Sequence, residues 1–169
     1  ALINENSSID WCCLPQFDSS SVFCKILDKD NGGSLKIECN DDFTISQKYL
    51  DKTAIIITTF KNDDSEFDVV DFMPRFKDDN DRYYSSPEIQ RILIPKKGTP
   101  SFKVVYNPKL DYAKGKTKNY IKENFIVSVL DEDIYETLFL YSNIDKKSIL
   151  DSKEVFLNEI KYINLSYNE

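Results

Sequence analysis

The chain has no histidine among its 169 residues. That excludes histidine general bases, histidine-containing triads and most catalytic zinc sites within it. It has only four glycines, one methionine and one tryptophan. The Gly32-Gly33 pair lies between segments in the wrong order for a phosphate-cradling loop. No apolar run approaches the roughly 20 residues of a helical membrane span, so no membrane partner is expected. A secretory signal, with its basic and apolar regions, is not visible at the start. Positive charge is in the minority: Lys plus Arg is 22, Asp plus Glu is 29, and the net charge is −7. The phosphate backbone of nucleic acid rewards clustered Lys and Arg, so no nucleic-acid partner is expected either.

The four cysteines, Cys12, Cys13, Cys24 and Cys39, match no zinc-knuckle spacing. Cys12 and Cys13 are adjacent and point to opposite faces if they lie in a strand. Buried reduced thiols packing as small apolar groups are expected, with a disulfide in a secreted form as the alternative. The Asp-rich loop at 28–31 lacks the closing Glu of a twelve-residue calcium loop. No metal or cofactor is expected, and the location expected is cytoplasmic. Ten Tyr and eleven Phe are many for this length, and a core between two sheets accommodates them.

Most of the chain alternates apolar and polar residues with period two. Residues 1–4 form a short apolar run that turns back into a strand over 8–14. After a Gly-Gly turn at 28–33, Leu35, Ile37 and Cys39 alternate, then Phe43 and Ile45. Residues 54–60 and 67–73 pair across a polar turn as a hairpin, and the charged stretch 77–82 reads as a solvated loop. Further strands are expected at 89–94, before a turn at 95–98, then at 102–106, 120–121, 125–130, 134–141, 155–157 and 163–167. The one helix expected is short. It follows the corner Pro15-Gln16-Phe17-Asp18, with Ser19 to Ser21 offering cap oxygens. Val22, Phe23, Ile26 and Leu27 then lie on one helical face. The fold class is all-β: an antiparallel sandwich of two packed sheets, one domain over 1–169.

Ser8-Ile-Asp-Trp11, then Cys13-Leu-Pro15 and Phe17-Asp-Ser19, resemble the opening of the glucoamylase/trehalase-like enzymes of glycoside hydrolase family fifteen. Their N-terminal domain typically reads Asp-Gly-Ser-Ile-Asp-Trp-Leu-Cys-Leu-Pro-Arg-Phe-Asp-Ser-Pro-Ser-Val-Phe. Departures are Ser7 for Gly, Cys12 for Leu, Gln16 for Arg and Ser20 for Pro. Gln16 removes a fixed charge and a bidentate donor. Asp71-Phe-Met-Pro74 and Arg91-Ile92 are similar to further motifs of the family in the same order. So is Asn107-Pro-Lys-Leu-Asp-Tyr-Ala113, where the family has Gly at the last position.

The resemblance implies a β-supersandwich that precedes a catalytic (α/α)₆ barrel of the same polypeptide, absent from this chain. It implies that both catalytic carboxylates lie on that barrel, so no catalytic residue is expected here. The parent enzyme would invert an α-glucosidic bond, with trehalose or α-glucan reached through the barrel. The chain starts as if inside a strand and stops where the family's linker begins, as a fragment would. Trp11, Pro15, Gln16, Phe17, Asp18 and Arg75 are the residues expected at the domain interface. The competing readings are a stand-alone carbohydrate-binding module, which needs an exposed aromatic strip, and a partner-binding module, which needs an apolar patch.

Overall fold

The computed structural model describes residues 1–40, 42–131 and 136–168. The period-two pattern becomes two antiparallel sheets packed face to face. The first part of the chain supplies β1 (Leu2–Ile3), β2 (Ile9–Cys13), β3 (Ser21–Cys24) and β4 (Ser34–Glu38). Then come β5 (Thr44–Tyr49), β6 (Ile56–Lys61), β7 (Glu66–Phe72), β8 (Phe76–Lys77) and β9 (Tyr83–Tyr84). The long strands β10 (Glu88–Lys97) and β11 (Ser101–Asn107) follow, then β12 (Thr117–Ile121), β13 (Phe125–Leu130) and β14 (Thr137–Ser142). A short helix, α1 (Lys146–Leu150), precedes β15 (Glu154–Phe156) and β16 (Lys161–Tyr167).

One sheet runs β1-β2-β4-β11-β15, with β3 also on β2. The other runs β12-β13-β14-β16-β10-β7-β6-β5. The strand expected from residue 134 begins at Thr137; Ile134 and Tyr135 lie outside the described residues. The stretch 77–82 is the turn of a two-strand ribbon, β8 on β9, with Asp78 accepting from the Arg82 amide at 2.8 Å.

The core lies between the sheets. In β11, Phe102, Val104 and Tyr106 are buried while Lys103 and Asn107 are exposed, as alternation dictates. Phe60 and Phe67 stack at 4.8 Å from neighbouring strands, and Phe102 meets Phe67 at 6.2 Å from the opposite sheet. Tyr106 and Ser128, also on opposite sheets, share a buried hydrogen bond of 2.8 Å.

Two expectations fail. Residues 21–24 are a strand, not a helix: β3 pairs with β2, Trp11 opposite Cys24 and Cys12 opposite Phe23. Val22 and Phe23 are fully buried, while Ile26 and Leu27 stand exposed in the turn beyond. The four apolar residues fit a helical face in spacing alone. Pairing and burial of a β-branched and aromatic run on an existing strand outweighed it. Secondly, β10 continues through Pro95. Its pairing with β16 ends at Leu93, so Pro95 has a neighbour on one side only and its missing N–H costs little.

Among the described residues the one α-helix is α1, where Asp145 caps by accepting from the Ser148 amide at 2.8 Å; Asp111–Ala113 forms a short 3₁₀ turn. No helix was expected here from the sequence; Asp145, three residues before Ser148, was the capping signal that could have marked it.

Both positions where this chain replaces a family glycine lie in the left-handed region: Ser7 at φ 60° and Ala113 at φ 59°. An L-residue pays there and glycine does not. The Ser7 hydroxyl is also buried without a partner among the described residues. Ser7→Gly and Ala113→Gly should each raise stability by about 1 kcal/mol, after glycine's greater unfolded-state entropy is subtracted. A rise in the urea midpoint at constant slope checks this.

Candidate interface site

The corner at 15–18 leaves β2 through a cis Leu14–Pro15 bond and turns back with the Gln16 carbonyl accepting from the Ser19 amide at 3.2 Å. The Ser20 hydroxyl donates to Asp111 at 2.9 Å, and the Tyr112 hydroxyl to the Ser19 carbonyl at 3.3 Å. The corner is thus braced against the segment after β11. Phe17 at its tip is 93% exposed. Pro15, Gln16 and Asp18 are exposed beside it. With no helix following, Asp18 has no helical amides to cap.

Trp11 is half-buried, its ring 6.2 Å from that of Tyr112. Asp10 beside it closes the β1–β2 turn, accepting from Asn4 at 2.8 Å and from Ser8 at 2.5 Å. Arg75 sits apart from the corner, exposed on the β7–β8 connection with its guanidinium 4.5 Å above the Tyr83 ring. The structure therefore groups Trp11 with the corner through Tyr112 and Ser19, and leaves Arg75 in a second surface cluster with Met73, Phe76 and Tyr83.

The motif residues that sequence reasoning passed over are Asp71 and Arg91. They face each other on β7 and β10, with side chains 1% and 0% exposed. Arg91 Nε donates to Asp71 at 2.7 Å and one terminal nitrogen to its other oxygen at 3.1 Å. That same nitrogen donates to the Ser7 carbonyl at 2.8 Å, and the other reaches the Leu35 carbonyl at 3.3 Å. Ser7 and Leu35 belong to the six-stranded half, Asp71 and Arg91 to the eight-stranded sheet. The forked, always-charged guanidinium joins the two layers, a geometry Lys lacks. Their place in the sequence motifs was visible, but nothing in sequence marks two residues 20 apart as partners.

The four thiols are free. Burial pushes Cys12 up to about 11 and Cys39 up to about 12 from an ordinary 9.0. Both are held protonated at neutral pH and are unreactive as nucleophiles. The unfolded chain ionises them above pH 9 while the folded chain does not, so unfolding is favoured as pH rises from 9 toward 11–12. Folded protein at pH 8 should label at Cys12 and Cys39 far more slowly than urea-unfolded protein. Equal rates would show that these sites open freely.

No group of three or more Cys, Asp or Glu positioned for a metal occurs among the described residues. No helix among them is long and apolar enough to cross a membrane.

Two antiparallel sheets joined by the buried guanidinium of Arg91, with a braced surface corner, define an all-β sandwich domain. Residues 1–134 match the family model described as trehalase-like, N-terminal, and the chain belongs to that family. It is 34% identical over 118 residues to a trehalase of Thermoplasma volcanium, covering 68% of this chain and 18% of the relative. A trehalase of Thermoplasma acidophilum is 36% identical over 115 residues, covering 66% of this chain and 19% of the relative. Trehalase 1 of Sulfolobus acidocaldarius is 45% identical over 71 residues, 41% of this chain and 12% of the relative. The chain thus spans less than a fifth of the length of the curated relatives it matches. No solved structure matches it.

Proposed function

We propose that this chain is the non-catalytic N-terminal β-sandwich of a longer hydrolase acting on α-glucosidic bonds, of trehalase or glucoamylase type. One observation carries this: the similarity fills two thirds of this chain but under a fifth of proteins named trehalase. Inverting glycosidases need two carboxyl groups about 6.5–9.5 Å apart, one protonated and one ionised. In this reading both lie on an (α/α)₆ barrel in the remainder of the polypeptide. The sandwich stabilises that barrel and shapes its entrance, and any contact with trehalose or α-glucan is made through the parent enzyme.

The test is an assay of the longer polypeptide and of residues 1–169 on trehalose and maltose. Glucose release by the longer form alone is expected. Release by residues 1–169 would overturn the reading.

Phe17 is the contact expected from the corner. Its ring is too exposed to support the sandwich itself. Burying such a ring on a partner is worth about 1.5–3 kcal/mol. Phe17→Ala should therefore weaken docking of a separately produced remainder by about 10–100-fold. Calorimetric titration checks it, and unchanged affinity removes Phe17 from the interface.

A further inference from the structure

The strand directions bring both surface clusters to one end of the sandwich. Phe102, early in β11, meets Phe67, which stands opposite Pro95 late in β10. Tyr106, late in β11, bonds Ser128, which is in register through Leu138 with Tyr167 at the end of β16. Strand β11 therefore runs toward the end where β16 finishes and β10 begins. Strand β2, antiparallel to β4 as β11 is, runs the same way. The Phe17 corner follows β2, and Asp111 and Tyr112, which brace it, follow β11. Strand β7 also finishes here, with Phe72 opposite Gln90, so the β8–β9 ribbon joining β7 to β10 stands at the same end.

The ribbon carries its aromatic residues in the open. Tyr83 is 66% exposed and Phe76 52%, with Met73 and Tyr84 exposed as well. Phe76 and Tyr84 lean on each other at 5.2 Å, and Lys77 joins Arg75 over the Tyr83 ring at 5.3 Å. The charged tip closes on itself, Lys77 with Asp81 at 2.5 Å and Arg82 with Asp78 at 2.9 Å. Between the ribbon and the β5–β6 turn lies an open cleft of about 650 Å³, its apolar lining including Ile55, Phe72 and Met73. A two-stranded ribbon is marginal in water unless it packs on something. Aromatic residues, Met and Arg are the side chains enriched where proteins meet.

We infer that the part of the longer polypeptide that follows this domain seats on this end, with the β8–β9 ribbon and its cleft as the main contact and the Phe17 corner as a second. The inference rests on the reading of the chain as the N-terminal part of a longer hydrolase, and names the surface that reading leaves open. The occupant follows from where β16 delivers the chain. The Tyr167 amide donates to the Pro87 carbonyl at 3.1 Å, in the segment between the ribbon and β10. The matching family model is an N-terminal one, and more than four fifths of the matched Thermoplasma relatives lies outside the matched stretch. In such a polypeptide, residues after β16 emerge one strand from β10 and two from β7, within about 10 Å of the base of the ribbon. A remainder tethered there by a short linker meets the ribbon at an effective concentration of roughly millimolar order. A second copy of this chain has no such tether and brings another −7 of charge against the first.

Hydroxyl-radical footprinting of the longer polypeptide tests this without any substitution. Tyr83 and Tyr84 should react several-fold more slowly than Tyr120 and Tyr162, which lie elsewhere and are less exposed on the domain itself. Equal or faster reaction at Tyr83 and Tyr84 would overturn the inference. It would leave the hydrolase reading intact, because that is judged by glucose release from trehalose in the same preparation. Lysine cross-linking of a mixture of isotope-labelled and unlabelled polypeptide then identifies the occupant, through Lys52 and Lys77, both exposed at this end. Links within one copy to residues beyond this domain support the inference, and links only between copies overturn it in favour of self-association.

Discussion

Asp71→Ala should cost the domain about 3–5 kcal/mol, because it strands Arg91 as an unpaired buried charge. Among the described residues, Asp71 is the only carboxylate that bonds Arg91. Arg91 is wholly buried, its fork is set by Ser7 and Leu35 on the opposite sheet, and its neighbours in register are Ile163 and Asp71. Urea denaturation followed by fluorescence of Trp11 reads the loss directly. A cost below about 1 kcal/mol would mean that Asp71 is not needed to hold the Arg91 fork that bridges the layers. Arg91→Lys keeps the charge but loses the fork, and should fall between wild type and Asp71→Ala. Replacing both partners with Leu and Met removes the unpaired charge, yet leaves the Ser7 and Leu35 carbonyls unsatisfied. The double variant should therefore recover only part of the loss.

Phe67→Ala should be as damaging, at about 3–5 kcal/mol, through lost transfer energy and the cavity left behind. Phe67 is fully buried and lies at the centre of the aromatic cluster. It stacks on Phe60 at 4.8 Å, meets Phe43 edge-on at 6.0 Å and touches Phe102 of the opposite sheet at 6.2 Å. Phe67→Leu fills part of that space and should lose clearly less. If the two variants were equally unstable, polar or backbone effects rather than volume would control the site.

Turn chemistry was legible for a physical reason. Gly33 sits at φ +66°, and a Cβ there would lie 2.1 Å from the Asn107 carbonyl oxygen. A Gly-Gly pair between two alternating runs announces such a position. The glycine departures at Ser7 and Ala113 were visible as departures, but their left-handed backbone was not.

By itself, the sequence determined the all-β class, the hairpin of β6 and β7, the alternation of β11 and the absence of histidine chemistry. These depend on period, turn residues and composition, which act over a few residues. Only the tertiary structure decided that residues 21–24 are a strand, because their partner is β2 and a helical spacing is no defence against a buried edge. Only it joined Asp71 to Arg91, and Arg91 to the opposite sheet, since such contacts depend on register and layer packing.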